Sequence, residues 1–173
     1  MLKLLHNNVF DVVADALLLT IDGQARGLRG NVAHAFQRRW PDDYADFEAQ
    51  LRFPIPLGAA VRIDADTNSP WRTIIFVSTL HHLETLDDDD RHRVIRNGLL
   101  SALDIAARTG LRTLATTVMK GGWRLTTPAA YRTMHETWQS SALHRAGGTL
   151  LVCCLDAAEY QTLVDAHRRL QGA

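Results

Sequence analysis

The chain is short of lysine. Of its 19 basic residues only Lys3 and Lys120 are lysines, and the formal net charge of its 173 residues is zero. That balance removes the broad electrostatic case for a duplex nucleic-acid surface or an anionic membrane. The local basic clusters, Arg38-Arg39 and the arginines within 91–96, read as solvated helix faces. Cysteine is as scarce. Cys153 and Cys154 are adjacent in a strand-like run, so their side chains point to opposite sheet faces. This supports neither a disulfide nor a zinc site; both read as small buried hydrophobes in a reducing compartment, which predicts a cytoplasmic protein. No apolar run is long enough to span a membrane: the first is lost at His6, too early for a secretory signal, and Asp15 interrupts the next. Repeats, low-complexity tracts and linkers are also absent, so residues 1–173 are expected to form a single domain with a substantial core.

What is present alternates. Strands are expected over 2–5, 16–21 (ALLLTI), 59–63, 73–78 (TIIFVS), 113–118 and 149–155. Helices are expected over 31–39, 91–109, 128–143 and 157–170, with a short amphipathic piece over 44–51 in an irregular stretch bracketed by Pro41, Pro54 and Pro56. The four acids at 87–90 complement the dipole of the long helix, and Gly110 fits its C′ position. The late strands are apolar on both faces and alternate with helices. The predicted fold is therefore α/β: a three-layer α/β/α sandwich around a mixed, largely parallel central sheet. Ligands in such folds bind beyond the carboxyl ends of strands, where strand order reverses, so the loops after Ile21 and Val118 are the places to look.

The second of those loops carries the most chemistry. An apolar run ends at Met119-Lys120-Gly121-Gly122-Trp123, and a helix start follows with Thr127 as expected N-cap and Pro128 at the first helical position. Two glycines let backbone N–H groups approach a ligand, and the helix N-terminus beyond favours negative charge. Lys120 adds a point charge and Trp123 an aromatic face, a combination that suits a phosphate-bearing ligand with a ring to stack. The bland alternative is a strand-to-helix turn with Trp123 capping the core. The first loop, Asp22-Gly23-Gln24-Ala25-Arg26-Gly27-Leu28-Arg29-Gly30-Asn31, also leads from a buried strand into a helix. Two such loops would suit a diphosphate held between them, although neither has the spacing of a Walker A or Rossmann fingerprint.

His81-His82 and His92 invite a metal reading. Adjacent histidines on an extended segment point apart, and no Cys or carboxylate stands at a zinc spacing around them, so no metal is expected.

Over nearly its full length the chain resembles the macrodomain family. NNVFDVVADALLLTID is similar to the family's opening, GQARGLRGNVAHAF to its glycine-rich first loop and following helix, and FPIPLGAAVRI to its Pro-x-Gly-x-Ala strand entry. TIIFVSTLHH resembles its next strand, TTVMKGGWRLTTPAA its second loop, and TLLVCCLDAAEYQTL its last strand and helix. The resemblance implies an ADP-ribose cleft with no further cofactor. Asn8 falls where the family recognises the adenine amino group, with Val9 beside it. Gly27, Arg29, Gly30, Asn31 and Val32 fall on the loop touching diphosphate and distal ribose, and Gly121, Gly122 and Trp123 on the second phosphate-embracing loop. Three positions depart from the family. Asp22 aligns with the asparagine that holds the distal ribose, Val32 replaces an aspartate used by some hydrolytic members, and Arg29 stands where glycine is usual.

Three readings follow from the residues and the resemblance. One is hydrolysis of an ADP-ribosyl or acyl-ADP-ribose bond, with Asp22 as the base or Lys120 as a nucleophile. The second is a non-catalytic module that senses ADP-ribose, a relative, or an ADP-ribosylated macromolecule. The third is a drifted α/β protein-interaction domain anchored by Trp40, Trp71 or Trp138, each of which also reads as partly buried core.

Overall fold

The computed structural model describes residues 1–122 and 124–172. Its strands are β1 (Leu2–His6), β2 (Ala16–Asp22), β3 (Ala60–Asp64), β4 (Thr73–Leu80), β5 (Thr113–Thr117) and β6 (Thr149–Cys154), forming one sheet in the order β1-β6-β5-β2-β4-β3. Pairing is parallel throughout except between β3 and β4. The helices are α1 (Asn31–Arg39), α2 (Pro41–Ala49), α3 (Asp88–Arg108), α4 (Thr127–Ser140), α5 (Ala142–Arg145) and α6 (Ala157–Gln171).

Period-two alternation along the strands divides the core in two. Leu17, Leu19, Ile21, Ile74 and Phe76 meet Ala33, Phe36, Tyr44 and Phe47 of α1 and α2 on one face. Leu18, Ile75, Val77, Leu150 and Val152 meet Ile95, Leu99, Leu103, Tyr131, Met134 and Leu163 of α3, α4 and α6 on the other. Both faces of the sheet are covered, which makes the three-layer sandwich expected from the apolar strands. Adjacent Cys153 and Cys154 sit in opposite cores, as strand geometry requires. Trp71 and Trp138 are buried, and half-buried Trp40 packs on Phe10 and Phe36. Truncating fully buried Phe36 to alanine would cost about 3–5 kcal/mol through lost burial and the cavity left behind.

Local details differ from the sequence expectation. Pro41, expected in irregular chain, opens α2 instead, since a helix start needs no proline N–H. The helix expected over 128–143 breaks at Ser141. Its buried hydroxyl donates to Trp138 O at 2.8 Å and accepts from His144 N at 3.1 Å, ending α4 and capping α5. The N-cap of α4 is Thr126 rather than Thr127: the helix starts one residue earlier than expected, with Pro128 at its second position and the Thr127 hydroxyl donating to Glu159. At α3, Asp87 is the N-cap, accepting from Asp90 N at 2.8 Å, and Gly110 follows the helix at φ 77°. No helix among the described residues is long and apolar enough to cross a membrane.

One feature of the sheet positions the site. β2 and β5 are neighbours, yet their ladder holds only Ala16↔Leu114 and Leu17↔Ala115. From β2 the chain goes on to β3 and β4 on one side, while β5 and β6 lie on the other. The reversal of strand order therefore coincides with a pair of strands bonded only near their starts, which leaves a crevice between their carboxyl ends.

Candidate functional site

That crevice is a cavity of about 530 Å³, inside the range of about 300–1,000 Å³ usual for small-molecule sites. Thr20, Ile21 and Asp22 from the end of β2 face Thr117 and Val118 from the end of β5. The end of β4 supplies Thr79 and Leu80, and Cys153, Cys154, Leu155, Asp156 and Glu159 close it from β6 and α6. Burial pushes the Cys153 thiol up to about 12, and it raises that of Cys154 with help from the charge of Glu159. Both remain protonated thiols at neutral pH.

The first wall is the loop over 23–30 and the start of α1, and its charges are turned inward on itself. Asp22, 4% exposed, accepts from Gln24 N at 3.0 Å through Oδ1 and from His82 N at 3.0 Å through Oδ2, with His82 Nδ1 at 3.2 Å from the same oxygen. Gly23 passes so close to β4 that a Cβ there would stand 2.1 Å from Ser78 Oγ and 2.4 Å from Ile55 O. Only glycine fits. Arg29 leans away onto α2, 3.5 Å from Glu48 Oε1 and 5.1 Å above the Tyr44 ring, while Gly27 N donates to the same Glu48 oxygen at 3.1 Å. Besides Asp22, what this wall brings to the cavity is Gly30, Asn31 and Val32 at the start of α1, and no cation among the described residues. Gly30, the N-cap of α1, offers no side-chain cap, and the first turn carries no acid. The N–H groups of Asn31 and Val32 thus lack intrahelical partners at the positive end of the helix, beside the cavity they line.

The second wall is the turn over 118–122 and the starts of α4 and α6. Gly121 and Gly122 both adopt positive φ, 56° and 71°, a pair of left-handed residues that side chains rarely tolerate. Lys120 lines the cavity, and its Nζ is ion-paired with Glu159 Oε1, which also accepts from Thr127 Oγ1 at 2.7 Å. Burial opposes the charge of Glu159, but hydrogen bonds from Lys120 and Thr127 with the lysine charge outweigh it and hold the carboxyl below the usual range.

No protein-family model and no curated protein sequence matches this chain. Solved structures do. The Oceanobacillus iheyensis macrodomain with ADP superposes with a TM-score of 0.83 at 15% identity, over 99% of this chain and 92% of that one. A glycine-to-valine mutant of that protein with ADPR gives a TM-score of 0.80 at 14% identity, covering 99% and 94%. The chain has the macrodomain fold. The macrodomain of Thermus aquaticus DarG also matches, at TM-score 0.66 and 20% identity, over 89% of this chain and 98% of that one. The alphavirus P23pro-zbd matches at TM-score 0.72 and 14% identity over 99% of this chain, which spans only 24% of that longer one.

In this macrodomain fold the residues expected at the ligand fall into two groups. Asp22, Gly30, Asn31, Val32, Lys120, Gly121 and Gly122 come together around the cavity. Asn8, Val9, Gly27 and Arg29 are not among its lining residues: Asn8 caps a 3-10 turn by accepting from Phe10 N at 3.0 Å, and Val9 is buried. Trp123 lies outside the described residues. Sequence reasoning missed Glu159 and Asp156. Their spacing, D-A-A-E at a helix start, reads as local capping, and Asp156 does accept from Glu159 N at 2.8 Å. It also missed the Asp22–His82 contact, because β4 joins β2 only in the folded sheet. Among the described residues no group of three or more His, Cys, Asp or Glu is arranged to hold a metal.

Proposed function

We propose that this protein binds ADP-ribose or a close derivative, free or carried on an ADP-ribosylated macromolecule, in the cavity between the two loops. The observation that carries this reading is the pairing of two backbone-rich walls. The uncapped start of α1 and the twin-glycine turn flank one cavity at the point where strand order reverses. N–H groups without intrahelical partners at a helix start suit phosphate oxygens, and glycines let a diphosphate approach. Leu155, 69% exposed at the cavity rim, and Val32 offer apolar surface for a ring. The Oceanobacillus macrodomain, solved with ADP and with ADPR, supports the choice of ligand class. Two buried free thiols suit a reducing compartment, and we propose the cytoplasm.

Recognition without turnover is the form of this reading that the partners of Asp22 and Lys120 favour. Both carboxylate oxygens of Asp22 already accept hydrogen bonds, and Lys120 is already paired. Hydrolysis of an ADP-ribosyl bond remains the second reading, favoured by the contact of Asp22 with a half-exposed histidine: Asp22, or His82 oriented by it, would take a proton from the attacking water. Calorimetric titration with ADP-ribose, AMP and NAD tests the first reading. Micromolar binding of ADP-ribose supports it, and no heat with any of the three overturns it. Incubation with an ADP-ribosylated protein separates the two readings: released ADP-ribose that vanishes in Asp22→Ala means an enzyme, and unchanged substrate means a reader.

A further inference from the structure

The one cation among the described residues lining the cavity already has a carboxylate. Lys120 Nζ is ion-paired with Glu159 Oε1, Thr127 Oγ1 donates to that oxygen at 2.7 Å, and Nζ lies 3.5 Å from the Thr127 hydroxyl. Three elements meet there: the turn after β5, the first residue of α4 and the first turn of α6. The two charged side chains are 12% and 25% exposed, so water screens them incompletely. Asp22 and Asp156 add two more carboxylates to the lining. A phosphate entering this cavity meets a lysine that is balanced from within the protein.

We propose that Glu159 is a specificity-determining counter-anion, which holds Lys120 in the empty cavity and yields it only to a ligand that sets a phosphoryl group against Nζ. This rests on the nucleotide-binding reading above. Displacement separates an ion pair and leaves a carboxylate close to the incoming anion, a like-charge juxtaposition that weakens binding. The Thr127 hydroxyl stays with Glu159 and keeps it partly satisfied, so the lysine can change partners without stranding the carboxylate. A diphosphate brings enough negative charge to compete for Lys120. A nucleoside brings none and is indifferent to the pair. Glu159 thereby sets a charge threshold for entry.

The test titrates ADP, AMP and adenosine into wild type, Glu159→Gln, Lys120→Met and the double variant, with thermal melts to certify folding. Glutamine keeps the size and an acceptor for Thr127 but removes the charge. Glu159→Gln should bind ADP about tenfold more tightly than wild type, the scale of one modest like-charge repulsion. Adenosine should be unaffected, and the gain should vanish in the Lys120→Met background. Glu159→Asp, still charged but one methylene shorter, serves if the glutamine variant is unstable, and should give a smaller gain of the same sign. Unchanged or weaker ADP binding in a folded Glu159→Gln overturns the proposal while leaving nucleotide binding intact, as does a gain that survives Lys120→Met. ADP binding to Glu159→Gln alone supports it strongly. No ADP binding to either protein overturns both this and the nucleotide reading.

Discussion

The two walls of the cavity solve the same problem by opposite means. On the first wall the arginine is turned outward, held by Glu48 and Tyr44 on α2, and the carboxylate of Asp22 is absorbed by the loop it organises. Beside that hydrogen-bonded carboxylate, the cavity there meets the start of α1 with its helix dipole and, among the described residues, no cation. On the second wall the lysine faces the cavity, and its charge is balanced by a carboxylate from a different element. A wall built on a helix start offers geometry that depends on Gly23 and Asp22 holding the loop in place. A wall with an ion pair offers strength that one charge can tune. Under the nucleotide-binding reading proposed above, shape selection and charge selection would fall to separate loops of one cavity.

The comparison can be broken or sharpened at named residues. The largest effect is expected at Gly23, where Ala must place Cβ against Ser78 Oγ and the Ile55 carbonyl; backbone cannot yield cheaply. Gly23→Ala should cost about 3 kcal/mol, and denaturant unfolding that shows less than about 0.5 kcal/mol would refute the close approach. Next comes Gly122→Glu, at φ 71° with Cβ 3.1 Å from Leu80 Cδ2, which strains the turn and adds negative charge to the second wall. ADP-ribose affinity should fall by a hundredfold or more, about 2.7 kcal/mol, with the protein still folded; retained affinity would remove the twin-glycine turn from the site. Asp22→Ala leaves the N–H groups of Gln24 and His82 without their acceptor, at about 1–3 kcal/mol, read as a melting temperature lower by about 2–4 °C per kcal/mol. An unchanged melt would mean that the first wall does not depend on Asp22.

Between pH 7 and pH 5.5, acid should act on the histidines that join α4 to α6. Behind it, Tyr131 Oη bonds His167 Nδ1 at 2.8 Å, with the His135 ring 5.8 Å from that of His167, joining α4 to α6. Burial holds both histidines below their ordinary value of 6.5, and at His135 the charge of His167 adds to it. The unfolded chain therefore takes up protons first. Stability is intact above pH 6.5 and is lost as pH falls below it toward the folded values. Melting temperature should drop between pH 7 and pH 5.5, and a His135→Gln/His167→Gln double variant should flatten the slope; an equally steep profile in that variant would assign the effect elsewhere. The smallest effect is expected at Arg29, whose guanidinium contacts α2. Arg29→Ala should change ADP-ribose affinity less than twofold while costing about 1 kcal/mol of stability through its packing on Tyr44, and a tenfold loss of affinity would bring that arginine back to the ligand.

The layers of this fold are legible in the residues because they depend on local patterns. TIIFVS has no polar face to give to water, and the residues of 16–21 alternate between two cores as strand periodicity demands. The loops were legible too, since rules of α/β topology point beyond strand ends, and a rare lysine beside two glycines marked one of them. What stayed hidden depends on pairs distant in sequence. Lys120 and Glu159 are 39 residues apart, and Asp22 and His82 are 60 apart. The sequence places Arg29 at the ligand through its loop, and its contacts with the Tyr44 ring and Glu48 on α2 form only in the fold.

The vicinal thiols that end β6 give the molecule a built-in reporter. Cys153, 1% exposed and with its thiol pushed up to about 12, resists alkylation while the strand end stays closed, yet it forms part of the cavity floor beside Cys154. Both free thiols line the cavity, so a thiol reagent should modify them more slowly once a ligand fills it, and an unchanged rate at saturating ADP-ribose would place the ligand elsewhere.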